Sequence, residues 1–399
     1  MGFAGFAVGA IGQQASDPDL IAIPDMRSYA YLPFIRDGLA VVQCDVTVDG
    51  APWAYAPRAI LRGALERVHA AGYEAYVGAE VEYFLLRRTA DGGLAPADER
   101  DTADQPCYDA RGVTRMYEHL TAASRAMNSL GWGNYANDHE DANGQFEQNF
   151  HYADALTTAD RVVTLRYVLH MLAEARGMVA TFMPKPFTDR TGSGLHLHVS
   201  LRRDDSPLFP DPDDPHGLGL SRTAYAFVGG LLDHVRALSA IACPTVNSYK
   251  RTGARNTASG ATWSPRTAGY GGNDRTHFIR VPDQQRVEIR GGDGAANPYL
   301  HIAAVLAAGL DGLDRGLDPG PPTGKGAITE MAPTLPRTLL DAVAALEADP
   351  VVCGALDGAG HGQPGATVSD YFCDLKREEF YAWHSQVSTW EIDRYLTAI

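Results

Sequence analysis

The sequence has no CxxC pair, and its five cysteines (Cys44, Cys107, Cys243, Cys353, Cys373) are scattered and odd in number. That excludes the usual disulfide framework and zinc knuckle, and suits a reducing compartment with free thiols. No apolar run approaches the roughly 18 residues that a membrane-spanning helix needs. The start, Met1-Gly2-Phe3-Ala4-Gly5-Phe6, carries no basic segment, so it does not read as a signal peptide. Phe6 breaks the myristoylation pattern. A cytoplasmic location is the expectation. Positive charge is also short, with 34 Lys and Arg against 49 Asp and Glu and a net charge of -15. This argues against nucleic acid or an anionic membrane as the main partner. There is no Walker motif and no GxGxxG opening a helix after a strand, which disfavours P-loop and Rossmann nucleotide sites. Internal repeats and low-complexity tracts are absent.

What is present is a globular composition: 399 residues, 45% hydrophobic and 21% charged. Length suggests about two domains. Four segments alternate in a way that sets chemistry on one strand face. In Leu195-His196-Leu197-His198-Val199-Ser200 the two histidines and Ser200 share a face. Arg286, Glu288 and Arg290 share another, as do Glu80 with Glu82, and Gln145 with Glu147 and Asn149. One such strand is more often an amphipathic strand facing water. Four of them, rich in Glu, His and Arg beside glycine-rich punctuation, point to a common cavity. Helices are predicted over Pro57 to Ala71, Val113 to Leu130, Thr158 to Gly177, Ser221 to Ala242 and Asn297 to Leu313, and Val368 to Leu396 reads as loop and helix. A further strand is predicted over Leu39 to Val46. Alternating helices and period-two strands favour an α+β fold on a largely antiparallel sheet.

Glu80, Glu82, Glu140, Glu147, His196 and Glu288 supply five carboxylates and one imidazole. Carboxylates gathered in one cavity resist ionising together, and divalent cations relieve them. This oxygen-rich set suits Mg2+ or Mn2+ better than Zn2+. Arg251, Arg275, Arg280, Arg286 and Arg290 crowd the Glu288 segment. Arginine clamps phosphate and carboxylate bidentately.

These residues lie in motifs that resemble the glutamine synthetase family. Lys185-Pro186 with Gly192-Ser193-Gly194-Leu195-His196-Leu197-His198-Val199-Ser200 looks like its KP…GSGxHxHxS signature. Asn247-Ser248-Tyr249-Lys250-Arg251, Arg275 to Pro282, Arg286 to Arg290 and Ala295-Ala296-Asn297-Pro298-Tyr299 follow in family order. The likeness is strongest to the branch with type III glutamine synthetase and γ-glutamylmethylamide synthetase. It implies a glutamine synthetase-like catalytic domain over residues 53–399, with a curved, largely antiparallel sheet, after a partial β-grasp-like domain at 1–52. It implies two Mg2+ or Mn2+ ions, one on Glu82, Glu140 and Glu147 and one on Glu80, His196 and Glu288. His198 and Ser200 would face ATP, and Arg275, Arg280 and Arg286 its phosphates. Arg251 and Arg290 would hold the glutamate carboxylates, with Gly192 at the amino-acid end. The implied reaction joins the γ-carboxylate of L-glutamate to ammonia or a small primary amine through a γ-glutamyl phosphate. The implied assembly is a ring-shaped homo-oligomer with sites between subunits.

Several departures bear on the substrate. Thr191 stands where the family has Asn before the Gly192 position. The stretch from Thr252 to Trp263 holds no acid, whereas ammonia-using members carry a flap Glu there. The first residues fall inside the family's N-terminal domain. The C-terminal Val387-Ser388-Thr389-Trp390-Glu391 lacks an adenylylation loop. Methylamine-type ligation is therefore the leading expectation. Ammonia-dependent glutamine synthesis is the alternative, with Asp138 or Asp274 replacing the flap acid. A catalytically inactive structural relative is a further alternative.

Overall fold

A computed structural model describes residues 2–3, 17–252, 257, 262–324, 333–358 and 367–398. Strands β1 (Leu20–Pro24) and β2 (Cys44–Val48) pair antiparallel in a small sheet with Gly2–Phe3 and Ala51–Pro52. The single strand expected over Leu39 to Val46 is divided between two sheets: Ala40–Val41 pairs with Ala30–Tyr31, and β2 pairs with β1. Gln43 makes the crossing. Its N–H donates to Ser28 Oγ, and its carbonyl accepts from the Asp25 N–H. Helix α1 (Pro57–Ala70) starts on a proline and ends before Gly72, whose φ is +78°. From α1, the buried Arg58 reaches Asp25, Asp45 and Asp160 at 2.5–2.9 Å.

Strand β3 (Glu74–Arg88) runs 15 residues, longer than the alternation indicated. Its second half, Tyr83 to Leu86, is buried on both faces and so shows no polar period. Strands β4 (Asn134–His139) and β5 (Gln145–Phe150) form a hairpin beside it. Helix α2 (Ala155–Glu174) opens at Asp154, whose side chain accepts from the Thr157 N–H, and Thr158 Oγ1 donates to the Val77 carbonyl at 2.6 Å. Strand β6 (Leu195–Arg203) returns along the other edge of β3.

The long apolar helix expected over Ser221 to Ala242 is two helices, α3 (Arg222–Asp233) and α4 (Val235–Ala242). His234 breaks them at φ -95° and ψ 5°. A short helix, α5 (Ser248–Thr252), is followed by β7 (Ile279–Asp283), β8 (Arg286–Ile289) and α6 (Pro298–Arg315). Helix α7 (Pro350–Asp357) lies beyond. Two further helices, Val368–His384 and Thr389–Tyr395, divide the last segment. Among the described residues, the main sheet runs Tyr270–Gly271, β7, β8, β6, β3, β5, β4. Tyr270–Gly271 is parallel to β7, and the other neighbours on this path are antiparallel. No helix among the described residues is long and apolar enough to cross a membrane.

His234 keeps its backbone bonds to Gly230 and Leu238, and its ring is held between two carboxylates. Nδ1 is 2.7 Å from Asp349 at the α7 N-cap, and Nε2 is 3.0 Å from Asp311 on α6. Burial alone would lower its pKa, but the two carboxylates raise it. A raised folded pKa contributes stability that is full below the unfolded value of roughly 6.5 and fades as pH rises through the folded value. His234→Gln should therefore cost more stability at about pH 6 than at pH 9, read as urea midpoints. Equal losses at both would contradict this.

Candidate functional site

Alternation puts Glu80 and Glu82 on one face of β3, and strand register supplies the rest. Glu80 stands opposite His196 of β6 and Asn149 of β5, and Glu82 stands opposite Glu147. His198 faces Glu288 of β8, Glu288 faces Arg280 of β7, and Glu147 faces Asp138 of β4. Residues opposite one another in antiparallel pairs share a face, so six strands deliver these side chains to one cavity.

The centre is His196. Its Nδ1 is 3.0 Å from Glu80 Oε2 and 3.7 Å from Glu288 Oε1, and its Nε2 is 3.7 Å from Glu82 Oε1. His198 Nε2 lies 2.8 Å from Glu80 Oε1. Potential ligand atoms of Glu80, Glu147 and His196 fall within 4.8 Å of one another, as do those of Glu80, His198 and Glu288. The expected grouping placed Glu147 with Glu82 and Glu140, and left His198 outside the ligand sets. In the structure Glu80 joins both groups.

Charge divides this cavity in two. On the β8 side the acids are compensated. Glu288 is fully buried and accepts from Arg280 Nη1 at 2.6 Å and from Arg290 Nη1 at 2.5 Å. Burial would raise its pKa, but Arg290 and then His196 bring it below the ordinary value. Burial is likewise the largest influence on Glu80, yet hydrogen bonds from His196 and His198 hold it well below. On the β5 side, no lysine or arginine among the described residues forms an ion pair with Glu140 or Glu147, and His196 is the base within reach of Glu147. Burial, then Glu80 and Glu140, push Glu147 well above the carboxylate range. Burial, then Glu82, does the same to Glu140. Asp138 is raised by burial and Glu80, and Asp141 by burial, with Glu82 adding to it. A cavity of carboxylates left short of positive charge, with the His196 imidazole at its centre, fits hard divalent cations.

Gly192 and Gly194 make the wall between β3 and α5. A Cβ on Gly192 would sit 2.2 Å from the Pro184 carbonyl, and one on Gly194 2.7 Å from His196 Nε2 and 2.9 Å from Arg251 Nη2. The Gly194 N–H donates to Glu82 Oε2 at 2.7 Å, and Gln145 Nε2 donates to the same oxygen at 3.1 Å. Arg251 is buried, and its Nη1 has no hydrogen-bond partner among the described residues. A desolvated guanidinium with a vacant donor is suited to a substrate carboxylate.

The remaining arginines are spread more widely. Arg286 Nε lies 3.1 Å from His198 Nδ1, Arg290 Nε donates to the Arg275 carbonyl, and Arg275 is exposed over Trp263. Ser200 continues the His198 face opposite Tyr76. Beside it, Gly78, Glu80, Tyr135, Tyr152, His198 and Arg286 border a cavity of about 370 Å³. Arg202 donates to Tyr152 OH at 2.9 Å and stacks 4.4 Å from the Tyr76 ring centre.

Sequence reasoning missed Asp141, Cys107 and Tyr108. Burial, then Glu140, pushes the Tyr108 hydroxyl up to about 12, and its φ is +59°. Its only sequence signal is a Tyr in a Pro- and Asp-rich loop, which is weak. Asp274 caps its own loop by accepting from Thr276. Of the acid-free stretch from Thr252 to Trp263, residues 253–256 and 258–261 fall outside the described residues.

Comparison with known proteins agrees with the motifs. Residues 54–395 match the glutamine synthetase catalytic domain. A glutamine synthetase of Rhizobium leguminosarum bv. phaseoli is 42% identical over 400 residues, covering 99% of this chain and 89% of the relative. A glutamate–methylamine ligase of Methyloversatilis universalis is 41% identical over 404 residues, with the same coverage of 99% and 89%. A solved GmaS–ADP complex superposes with a TM-score of 0.91 at 45% identity, over 99% of this chain and 89% of that one. The chain belongs to the glutamine synthetase family of ATP-dependent carbon–nitrogen ligases.

Proposed function

We propose that this enzyme joins the γ-carboxylate of L-glutamate to a small primary amine of the methylamine type, using ATP. The reading is carried by the desolvated Arg251 beside the Gly192–Gly194 wall, with a cavity of uncompensated acids adjoining it. Arg251 and Arg290 hold the glutamate carboxylates, with Gly192 at the amino-acid end, so that the γ-carboxylate faces the acid cluster. His198 and Ser200 border the nucleotide, and Arg275, Arg280 and Arg286 meet its phosphates. Arg280 is now bound to Glu288 and Asn273, so it exchanges partners to do this.

Glu82, Glu140 and Glu147 would hold one Mg2+ or Mn2+, and Glu80, His196 and Glu288 a second; cations bound there would supply positive charge to the phosphate oxygens. The γ-carboxylate oxygen attacks the γ-phosphorus of ATP, and ADP leaves. The amine nitrogen then attacks the acyl carbon, loses a proton and expels phosphate. The arginines supply fixed positive charge where negative charge collects. We further propose the partial β-grasp-like unit at 1–52, the catalytic domain at 53–399, and a ring-shaped homo-oligomer. A fully active monomer in light scattering would contradict the ring.

The amine is named by two supports. One is the acid-free stretch from Thr252 to Trp263, since ammonium needs a negative partner before attack. The other is the likeness to a glutamate–methylamine ligase. Ammonia is the second reading, favoured by Asp138 and Asp141 beside Glu140. The test is kcat/KM for methylamine over ammonia at fixed pH, counting free-base forms. A ratio above one is expected; a ratio well below one leaves a glutamine synthetase. Absence of ADP release with glutamate and any amine would leave an inactive relative.

A further inference from the structure

We propose that a buried pair, Asp101 and His139, is a positioning device for Glu140 and for the hairpin that carries Glu147. It sets divalent-cation affinity without touching the cation. The proposal rests on the reading of Glu140 and Glu147 as cation ligands.

Both side chains are at most 1% exposed, with His139 Nε2 2.9 Å from Asp101 Oδ2. His139 Nδ1 lies 2.9 Å from the carbonyl of Glu140. Each ring nitrogen thus faces an oxygen acceptor, and the imidazole is fixed as a strut between Asp101 and the Glu140 backbone. The other end of the turn is held by the same carboxylate. Gly144 N–H donates to Asp101 Oδ2 at 2.6 Å, and Asn143 Nδ2 donates to Asp101 Oδ1 at 3.1 Å. The Glu140 N–H donates to the Gln145 carbonyl, closing the turn. The His139 ring is seated against Gly112, where a Cβ would meet it at 2.4 Å.

One buried carboxylate therefore ties down the first residue of the acidic turn, through His139, and its last two residues before Gln145. The turn needs this restraint. Glu147 faces Glu82 and Asp138 across the strands, with Glu140 and Asp141 in the turn, and an unrestrained hairpin would relieve that crowding by spreading. Cohesion of the fold is a poor explanation for the pair, because buried ion pairs of this kind return little net stability over an apolar replacement. Groups behind ligands are what hold a cation site in shape before the cation arrives.

The test is calorimetric titration of Mn2+ into the full chain. Asp101→Asn should weaken binding by about 10–100-fold. Asn143→Ala, which removes one restraint, should weaken it several-fold and decides the matter if Asp101→Asn does not fold. Asp349→Asn breaks an Asp–His contact elsewhere in the fold, at His234. It should lower the unfolding midpoint and leave Mn2+ affinity unchanged. Wild-type affinity in Asp101→Asn, or in Asn143→Ala if Asp101→Asn does not fold, overturns the proposal. So does an equal weakening in Asp349→Asn, which would make the effect one of general stability. Glu140→Gln separates the two layers: wild-type Mn2+ binding there overturns the ligand reading itself, whatever Asp101→Asn does.

Discussion

Glu147→Gln should eliminate turnover and yet make the metal-free protein harder to unfold. Glu147 is buried among acids, and its folded pKa is pushed well above the usual range by burial, then by Glu80 and Glu140. A group with a raised folded pKa favours folding below its unfolded value, and that contribution is lost as pH rises through the folded value. At neutral pH its ionisation therefore works against the fold. Glutamine removes the charge and keeps the oxygen that accepts from Asn149 Nδ2. The expected gain is roughly 1–3 kcal/mol, the range for a buried group relieved of an unmet cost. It should be seen as a higher melting point in chelator and a flatter decline between about pH 5 and pH 8. Turnover should fall on the order of 10³-fold, because charge at the phosphoryl group loses its counterweight. Adding Mn2+ should remove the stability advantage. A metal-free Glu147→Gln protein less stable than wild type would mean that the acids are not in conflict.

The second large effect lies away from the cavity. Arg58→Ala should cost about 3–5 kcal/mol, the range for breaking a buried ion pair from one side. The loss leaves Asp25, Asp45 and Asp160 facing one another, with only Arg62 and Arg27 at the rim. Tyr299 OH would still donate to Asp160 at 2.6 Å. Asp25 is held well below its ordinary pKa by Arg27 foremost, against burial, and by Arg58. A depressed folded pKa gives stability that is present above the unfolded value and lost as pH falls through the folded one. The gap between wild type and Arg58→Ala should thus be widest near neutral pH and narrow below about pH 4. Urea unfolding at several pH values measures it. Hydrogen exchange should rise first in β1 and β2, since Asp25 and Asp45 tie those strands to α1 and α2.

Much of this site was legible because strands have a period of two. The polar faces of β3, β5, β6 and β8 could be read from Glu80, Glu147, His196 and Glu288 and their neighbours two residues away. Register was not legible, since the pairing of His196 with Glu80 joins positions 116 residues apart. For the same reason the unequal compensation of the two halves was hidden: it depends on which acids receive Arg280 and Arg290. Pro57 and Gly72 bounded α1 correctly because capping is local. The break at His234 was invisible because the carboxylates that hold its ring come from α6 and the α7 N-cap, far along the chain. The value of Asp101 was missed because a lone Asp in a polar loop has no period at all.

Strand β3 is bonded to β5, β6 and the three short strands Leu94–Pro96, Ala153–Asp154 and Val179–Thr181. A single residue gained or lost in it would turn Glu80 and Glu82 to the opposite face and misalign five neighbours together. Changes of length there should therefore be selected against. Drift in length among relatives should gather in segments such as Asp204 to Gly217, an acidic, proline-rich surface loop away from the acid cluster. An alignment of distant members would show the ligand strands as gapless blocks separated by islands of variable size.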